Sequence, residues 1–224
     1  MRRENDYLLR LIKELASVIH YALGLRLEQK YDLAHDTMNQ SARDVLGLNL
    51  DSVVQLGADT VVANLQLTDG SVWQAKTAVL AWLLYEDGVM YFEEGEEEWG
   101  YGRHLTALHF LLTLSAANWE PDDHIPAVES VRESLDDFIL PAATYHQLIA
   151  HYERHGQFGD AEDVLYTWLE NRETAAQANT HADPVAAGFA FYHRLLQKDD
   201  ETLQAGNLPR AEIETGLAEL GTGG

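Results

Sequence analysis

Along most of this chain the apolar residues return at intervals of three and four, the spacing that lines one face of an α-helix. Its apolar surface can therefore be buried only by packing helix against helix. From Asp6 to Ala22 the series Tyr7, Leu8, Leu11, Ile12, Leu15, Val18, Ile19 and Ala22 marks one such face. After Gly24 a second pattern runs from about Glu28 to Leu46 through Tyr31, Ala34, Met38, Ala42 and Val45, and Gly47 is placed to end it. The two predict a helical hairpin over about residues 5–46.

Residues 51–74 admit two structures. The β-branched residues around Asp69-Gly70 in "TVVANLQLTDGSVWQ" fit a short β-hairpin. Short helices are favoured, because Asp51 and Asp59 can each cap a helix start and Ser71 with Gln74 has the spacing of a capping box. The stretch "AKTAVLAWLLYEDGVMYF" then predicts a helix over about 72–92. The acidic segment "EEGEEEWGYG" follows as a long connection, and "RHLTALHFLLTLSAANW" is the return helix, giving a second hairpin over about 72–118.

Pro121 and Pro126 bracket a loop, Pro126 suits the first turn of a helix reaching Leu140, and Pro141 breaks the chain. In "YHQLIAHYERHGQFGDAEDVLYTWLE", residues 145–170, Tyr145, Leu148 and Tyr152 share a face. Gly156 permits a turn, and Phe158, Ala161 and Leu165 form the matching face of a return helix, so a third hairpin covers about 142–172. The segment "ETAAQANTHAD" has turn and cap character. Helices are expected at about 184–198, where Pro184 takes the first turn, and at about 209–220, with 221–224 a disordered tail. The expectation is all-α: a single domain over residues 1–220, an irregular stack of helical hairpins with about eight to ten helices.

With 224 residues, 46% of them hydrophobic, a sizeable core can form. There is no Cys, which removes disulfides, thiolate metal sites and thiol nucleophiles. The start "MRRENDYLLRLIKELASV" is amphipathic, unlike the unbroken apolar stretch of a secretory signal, and "LTALHFLLTLSAANW" falls short of the roughly 20 apolar residues that span a bilayer. A cytoplasmic location is expected.

Residues 1–44 hold seven basic and seven acidic side chains, so of the 15 basic and 37 acidic residues, eight and thirty lie beyond Asp44 and carry the whole net charge of -22. Such a surface repels phosphate, and neither nucleic acid nor an anionic membrane is an expected partner. Solubility is the simplest account of the charge.

The hairpin at 145–170 resembles the tetratricopeptide repeat, whose pattern of a large residue, Leu, Tyr, a turn Gly, an aromatic and an Ala is met by Tyr145, Leu148, Tyr152, Gly156, Phe158 and Ala161. Trp168 departs from it, standing where the repeat has a small residue. Weaker copies put Leu84, Gly88, Tyr91 and Gly95, then Ala107 and Leu111, at corresponding intervals, and Tyr31, Ala34 and Met38 fit the second helix of the pattern. The intervals from Ala34 to Ala107 and from Ala107 to Ala161 are 73 and 54 residues, so no regular array follows. The arrangement of "NDYLLRLIKEL", "KYDLA" and "YERHGQFGDAEDVLYTWLE" also resembles an uncharacterised family of small bacterial proteins with repeat-like helices. That resemblance implies a fold and no chemistry.

No phosphate loop, dinucleotide fingerprint, paired-His metalloprotease signature or nucleophile elbow is present, and no catalytic or cofactor-binding residue is expected. His151 and His155, spaced i, i+4, are near enough to share a metal, yet no carboxylate accompanies them on that face, so no metal site is expected. The run Glu93, Glu94, Glu96, Glu97, Glu98 reads first as a solvated connection. Trp99 and Tyr101 beside it fit anchors for a basic peptide. The carboxylate clamp of some repeat proteins is missing, since Ala143, His146, Gln147 and Ala150 occupy its positions.

The resemblance implies a groove whose contacts would be His146, Gln147, Glu153 and Arg154, in an interaction module for a protein or peptide partner. Two alternatives remain. One is a structural protein that self-associates as a homodimer through its N-terminal helix. The other is a ligand-binding protein or enzyme with a pocket between hairpins.

Overall fold

Every regular element among the described residues is helical, as the three-and-four spacing demands. The computed structural model describes residues 2–119, 123–172 and 183–222, which form two compact units, residues 1–137 and 138–224.

In the first unit α1 (Arg2–Leu27) and α2 (Tyr31–Leu46) pair as a hairpin. The chain does not turn at Gly24. The helix carries on to Leu27, and the reversal falls on Gln29, whose φ is 57°. A helical Gly costs about 1 kcal/mol against Ala, and the burial of Ala22 and Leu25 on either side offsets it. Gly47 ends α2 in the left-handed conformation with φ 74°, as its position predicts.

Residues 51–74 form no β-hairpin. They fold as α3 (Leu50–Leu56), α4 (Ala58–Thr68) and a single 3₁₀ turn (Gly70–Val72). The residue that caps α3 is Asn49, whose Oδ1 accepts from the Ser52 amide at 2.7 Å, while Asp51 lies inside the first turn. Gly57 occupies the N-cap of α4, with Asp59 again one step inside.

The core of this unit is the hairpin of α5 (Trp73–Glu94) and α6 (Glu97–Ala116). Both helices are apolar nearly all round, and both are covered: α1, α2 and α4 pack on α5, and α3, α4 and α7 (Val128–Glu133) on α6. Only Gly95 and Glu96 join them, so the acidic segment is two helix ends and not a long connection. Glu97 and Glu98 stand in the first turn of α6, where the helix dipole favours a carboxylate. The helix expected from Pro126 to Leu140 is only α7, because the chain leaves it at Ser134, whose hydroxyl meets His104.

In the second unit α8 (Ala142–His155) and α9 (Phe158–Glu170) form a hairpin around Gly156, whose φ is 75°. Tyr145, Leu148, Tyr152, Phe158, Ala161, Leu165 and Trp168 are all buried in it. It is followed by α10 (Pro184–Leu195), α11 (Asp200–Ala205) and α12 (Arg210–Thr222). Asp183 caps α10 by accepting from the Val185 amide at 3.0 Å, with Pro184 in the first turn. Arg210 donates to the carbonyls of Leu196 and Lys198, at 3.2 and 2.7 Å, which satisfies groups the end of α10 leaves open. The last helix runs past residue 220 to Thr222. Pro121, the segment 173–182 and residues 223–224 lie outside the described residues.

Candidate functional site

Asp87, Tyr91 and Glu94 follow one another on α5 at spacings of four and three, which puts them on one face. That face meets His35 from α2 and Trp99 and Arg103 from α6, and Arg103 in turn reaches Asp51 in the first turn of α3. Asp87 is 0% exposed and Arg103 1%, and Arg103 Nε donates to Asp87 Oδ2 at 2.7 Å. A second guanidinium nitrogen donates to Asp51. The other Asp87 oxygen lies 2.6 Å from His35 Nδ1, and His35 Nε2 is 2.8 Å from Glu94 Oε2. The result is one continuous chain of polar groups, Asp51, Arg103, Asp87, His35 and Glu94, running from α3 through the core hairpin to α2 and back to the end of α5.

The aromatic residues are built onto this chain. Tyr91 stacks on His35 with centroids 4.0 Å apart, and on Trp99 at 6.0 Å. The Arg103 guanidinium lies over both rings, 5.3 Å from Tyr91 and 5.9 Å from Trp99. Trp99 is therefore held from within, although 50% of its surface is exposed. Around it Glu96, Glu97 and Glu98 are exposed. Glu93 is paired with Arg26 of α1, whose Nε donates to it at 2.7 Å. Arg26 and His35 thus neutralise two glutamates at the C-terminal end of α5, where the helix dipole alone would oppose them.

Beside the cluster, His104 is a buried neutral imidazole. Burial lowers its pKa to about 4, and its two nitrogens meet the Tyr85 carbonyl at 2.9 Å and the Ser134 hydroxyl at 2.6 Å. The ring fills the space above Gly88, where a Cβ would stand 2.6 Å from its Nε2 and 2.9 Å from the Arg103 Cβ. Ala is the better helix former by about 1 kcal/mol, and the overpacking costs about 1–3 kcal/mol, so the clash decides the sign. Gly88→Ala should lower stability in urea denaturation. A stabilised variant would show that α5 and α6 are not this close.

The residues expected to bind a partner separate between the units. Trp99 sits in the cluster of the first, with Tyr101 partly buried further along α6. In the second, His146, Gln147 and Arg154 are exposed on one face of α8, and Glu153 forms a two-pronged pair with Arg194 of α10 at 2.6–3.1 Å. The His151 and His155 rings lie 4.4 Å apart, but His151 is buried and His155 Nδ1 donates to the His151 carbonyl at 2.8 Å. Among the described residues no group of three or more His, Asp and Glu side chains could hold a metal ion.

A second polar cluster lies in this unit, where Tyr192 donates to Glu162 at 2.6 Å and Tyr166 to Glu219 at 2.9 Å. Burial, then the charges of Glu212, Asp163 and Glu219, push the Glu162 carboxyl up. Burial and Glu162 push the Tyr192 phenol up.

No helix among the described residues is long and apolar enough to cross a membrane. No curated protein and no solved structure matches the chain. The model of a family of unknown function, DUF6483, matches residues 2–222, and the chain belongs to that family.

Proposed function

We propose that this member of a family of unknown function is a cytoplasmic protein-interaction module, an adaptor or scaffold, and that its partner docks a basic segment at the Trp99 end of the α5–α6 hairpin. The observation that carries the reading is Trp99 itself. A tryptophan half in water is an unfavourable place for so much apolar surface, yet this one is fixed by Tyr91 and Arg103 instead of being left loose. A rigid aromatic with exposed surface binds at low entropic cost, and it is a common anchor of interfaces. The exposed Glu96, Glu97 and Glu98 supply a negative field that attracts Lys and Arg and repels acidic chains.

The tetratricopeptide-like reading of the helical stack is supported by the α8–α9 hairpin. There Tyr145, Leu148, Tyr152, Phe158 and Ala161 are buried, Gly156 turns the chain, and Trp168 stacks on Tyr145. The exposed His146, Gln147 and Arg154 are the contacts such a repeat would offer on its first helix.

Fluorescence anisotropy with a labelled Lys- and Arg-rich peptide tests the proposal. Binding should weaken as salt is raised, and Trp99→Ala should weaken it by about tenfold or more, a loss of about 1.4 kcal/mol, while circular dichroism stays that of the native protein. Equal affinity for an acidic peptide, or no response to Trp99→Ala, would remove this surface from the account.

A further inference from the structure

His35 is held between two carboxylates. Each ring nitrogen faces a carboxylate oxygen, Asp87 Oδ1 at 2.6 Å and Glu94 Oε2 at 2.8 Å. Where both carboxylates are ionised each can only accept, so both nitrogens then carry a proton and the ring is an imidazolium. The other Asp87 oxygen accepts from Arg103 Nε at 2.7 Å, a charge-assisted hydrogen bond that fixes the carboxylate in place.

We propose that His35 is a pH-operated latch, which as an imidazolium pins α2 to α5 and on losing its proton releases α2 from the core hairpin. The neutral ring would turn a lone pair toward one of the two carboxylates, converting an attraction into a repulsion inside a part-buried interface where His35 is only 12% exposed. Asp87, Glu94 and Tyr91 face it from α5. Beyond Asp87, Arg103 of α6 and Asp51 of α3 continue the chain. The Arg26 charge of α1 is engaged by Glu93. The surroundings are thus net negative once His35 is neutral, with three carboxylates against the single Arg103.

The electrostatic balance supports the same state. Burial works against a charged ring, and the hydrogen bonds and charges of Asp87 and Glu94 more than offset it, leaving the His35 pKa above its ordinary value. A raised folded pKa fixes the sign of the linkage. The stability that His35 contributes is complete below the unfolded value of about 6.5 and is lost as pH rises through the folded value. The latch holds in acid and opens toward alkaline pH.

The experiment uses the full chain without any partner. Side-chain nitrogen NMR across pH 5–9 should show His35 protonated on both nitrogens in acid, with a midpoint above about 6.5. Urea denaturation should show that the stability gap between the native protein and His35→Gln is constant at low pH and shrinks through that midpoint, with amide protection of α2 falling in step. If His35→Gln fails to fold, Glu94→Gln serves instead and should lower the His35 midpoint. A midpoint at or below about 6.5, a gap that does not change with pH, or a midpoint indifferent to Glu94→Gln would each overturn the latch.

Discussion

Arg103→Leu should cost the first unit about 3–5 kcal/mol in urea denaturation, because it strands the Asp87 carboxylate, 0% exposed, without its guanidinium partner. The loss is larger than the worth of the ion pair itself, since taking a charge out of water is repaid only while its partner is present. Three neighbours lose support together: Asp51 loses its donor, and Tyr91 and Trp99 lose the cation above their rings. Replacing both members, as Asp87→Leu with Arg103→Leu, should recover part of the loss, leaving the share that belongs to His35. An Arg103→Leu protein within about 1 kcal/mol of the native one would mean that this pair is not buried as described.

The second large effect belongs to the other unit. Trp168 is 1% exposed and stacks on Tyr145 with ring planes 12° apart and centroids at 6.1 Å, and the Tyr145 hydroxyl in turn accepts from the Leu140 amide at 3.2 Å. Removing the indole leaves a cavity that neighbouring helices fill only in part. Trp168→Ala should therefore cost about 3–5 kcal/mol, with hydrogen exchange speeding in α8 and α9. Trp168→Phe, which keeps an aromatic ring beside Tyr145, should cost less. If the alanine variant were as stable as the native protein, Trp168 would not be the residue that fills this hairpin.

The helices were legible in the sequence because a period of three and four survives wherever one face is buried, as in α2, α8 and α9. Their ends were less so. The segment from Glu93 to Gly102 has the composition of a loop, but Glu97 and Glu98 are stabilised at a helix start. Gly100 lies inside the helix, and it is Gly because the Phe92 ring occupies the space of a side chain there, 2.7 Å from where a Cβ would be. Conversely, the apolar pattern up to Leu140 outlasts α7, since Ser134 leaves the helix to bond His104.

The candidate site was half visible. Trp99 stood out as a large aromatic in an acidic run. Its support did not, because His35 and Asp87, like Asp51 and Arg103, are 52 residues apart and meet only when α2 and α3 close over the core hairpin. The available signal was the presence of Asp87 and Arg103 inside two long, mostly apolar helices, which bury charge only when a partner is supplied.

The most direct test of the interaction reading follows the Trp99 indole and the backbone amides of residues 93–99 by NMR while a Lys- and Arg-rich peptide is added. Docking at Trp99 predicts a saturable shift concentrated on those signals, weakened by salt and absent with an acidic peptide of equal length. Signals that stay in place, or small shifts spread evenly over the acidic surface of both units, would contradict it.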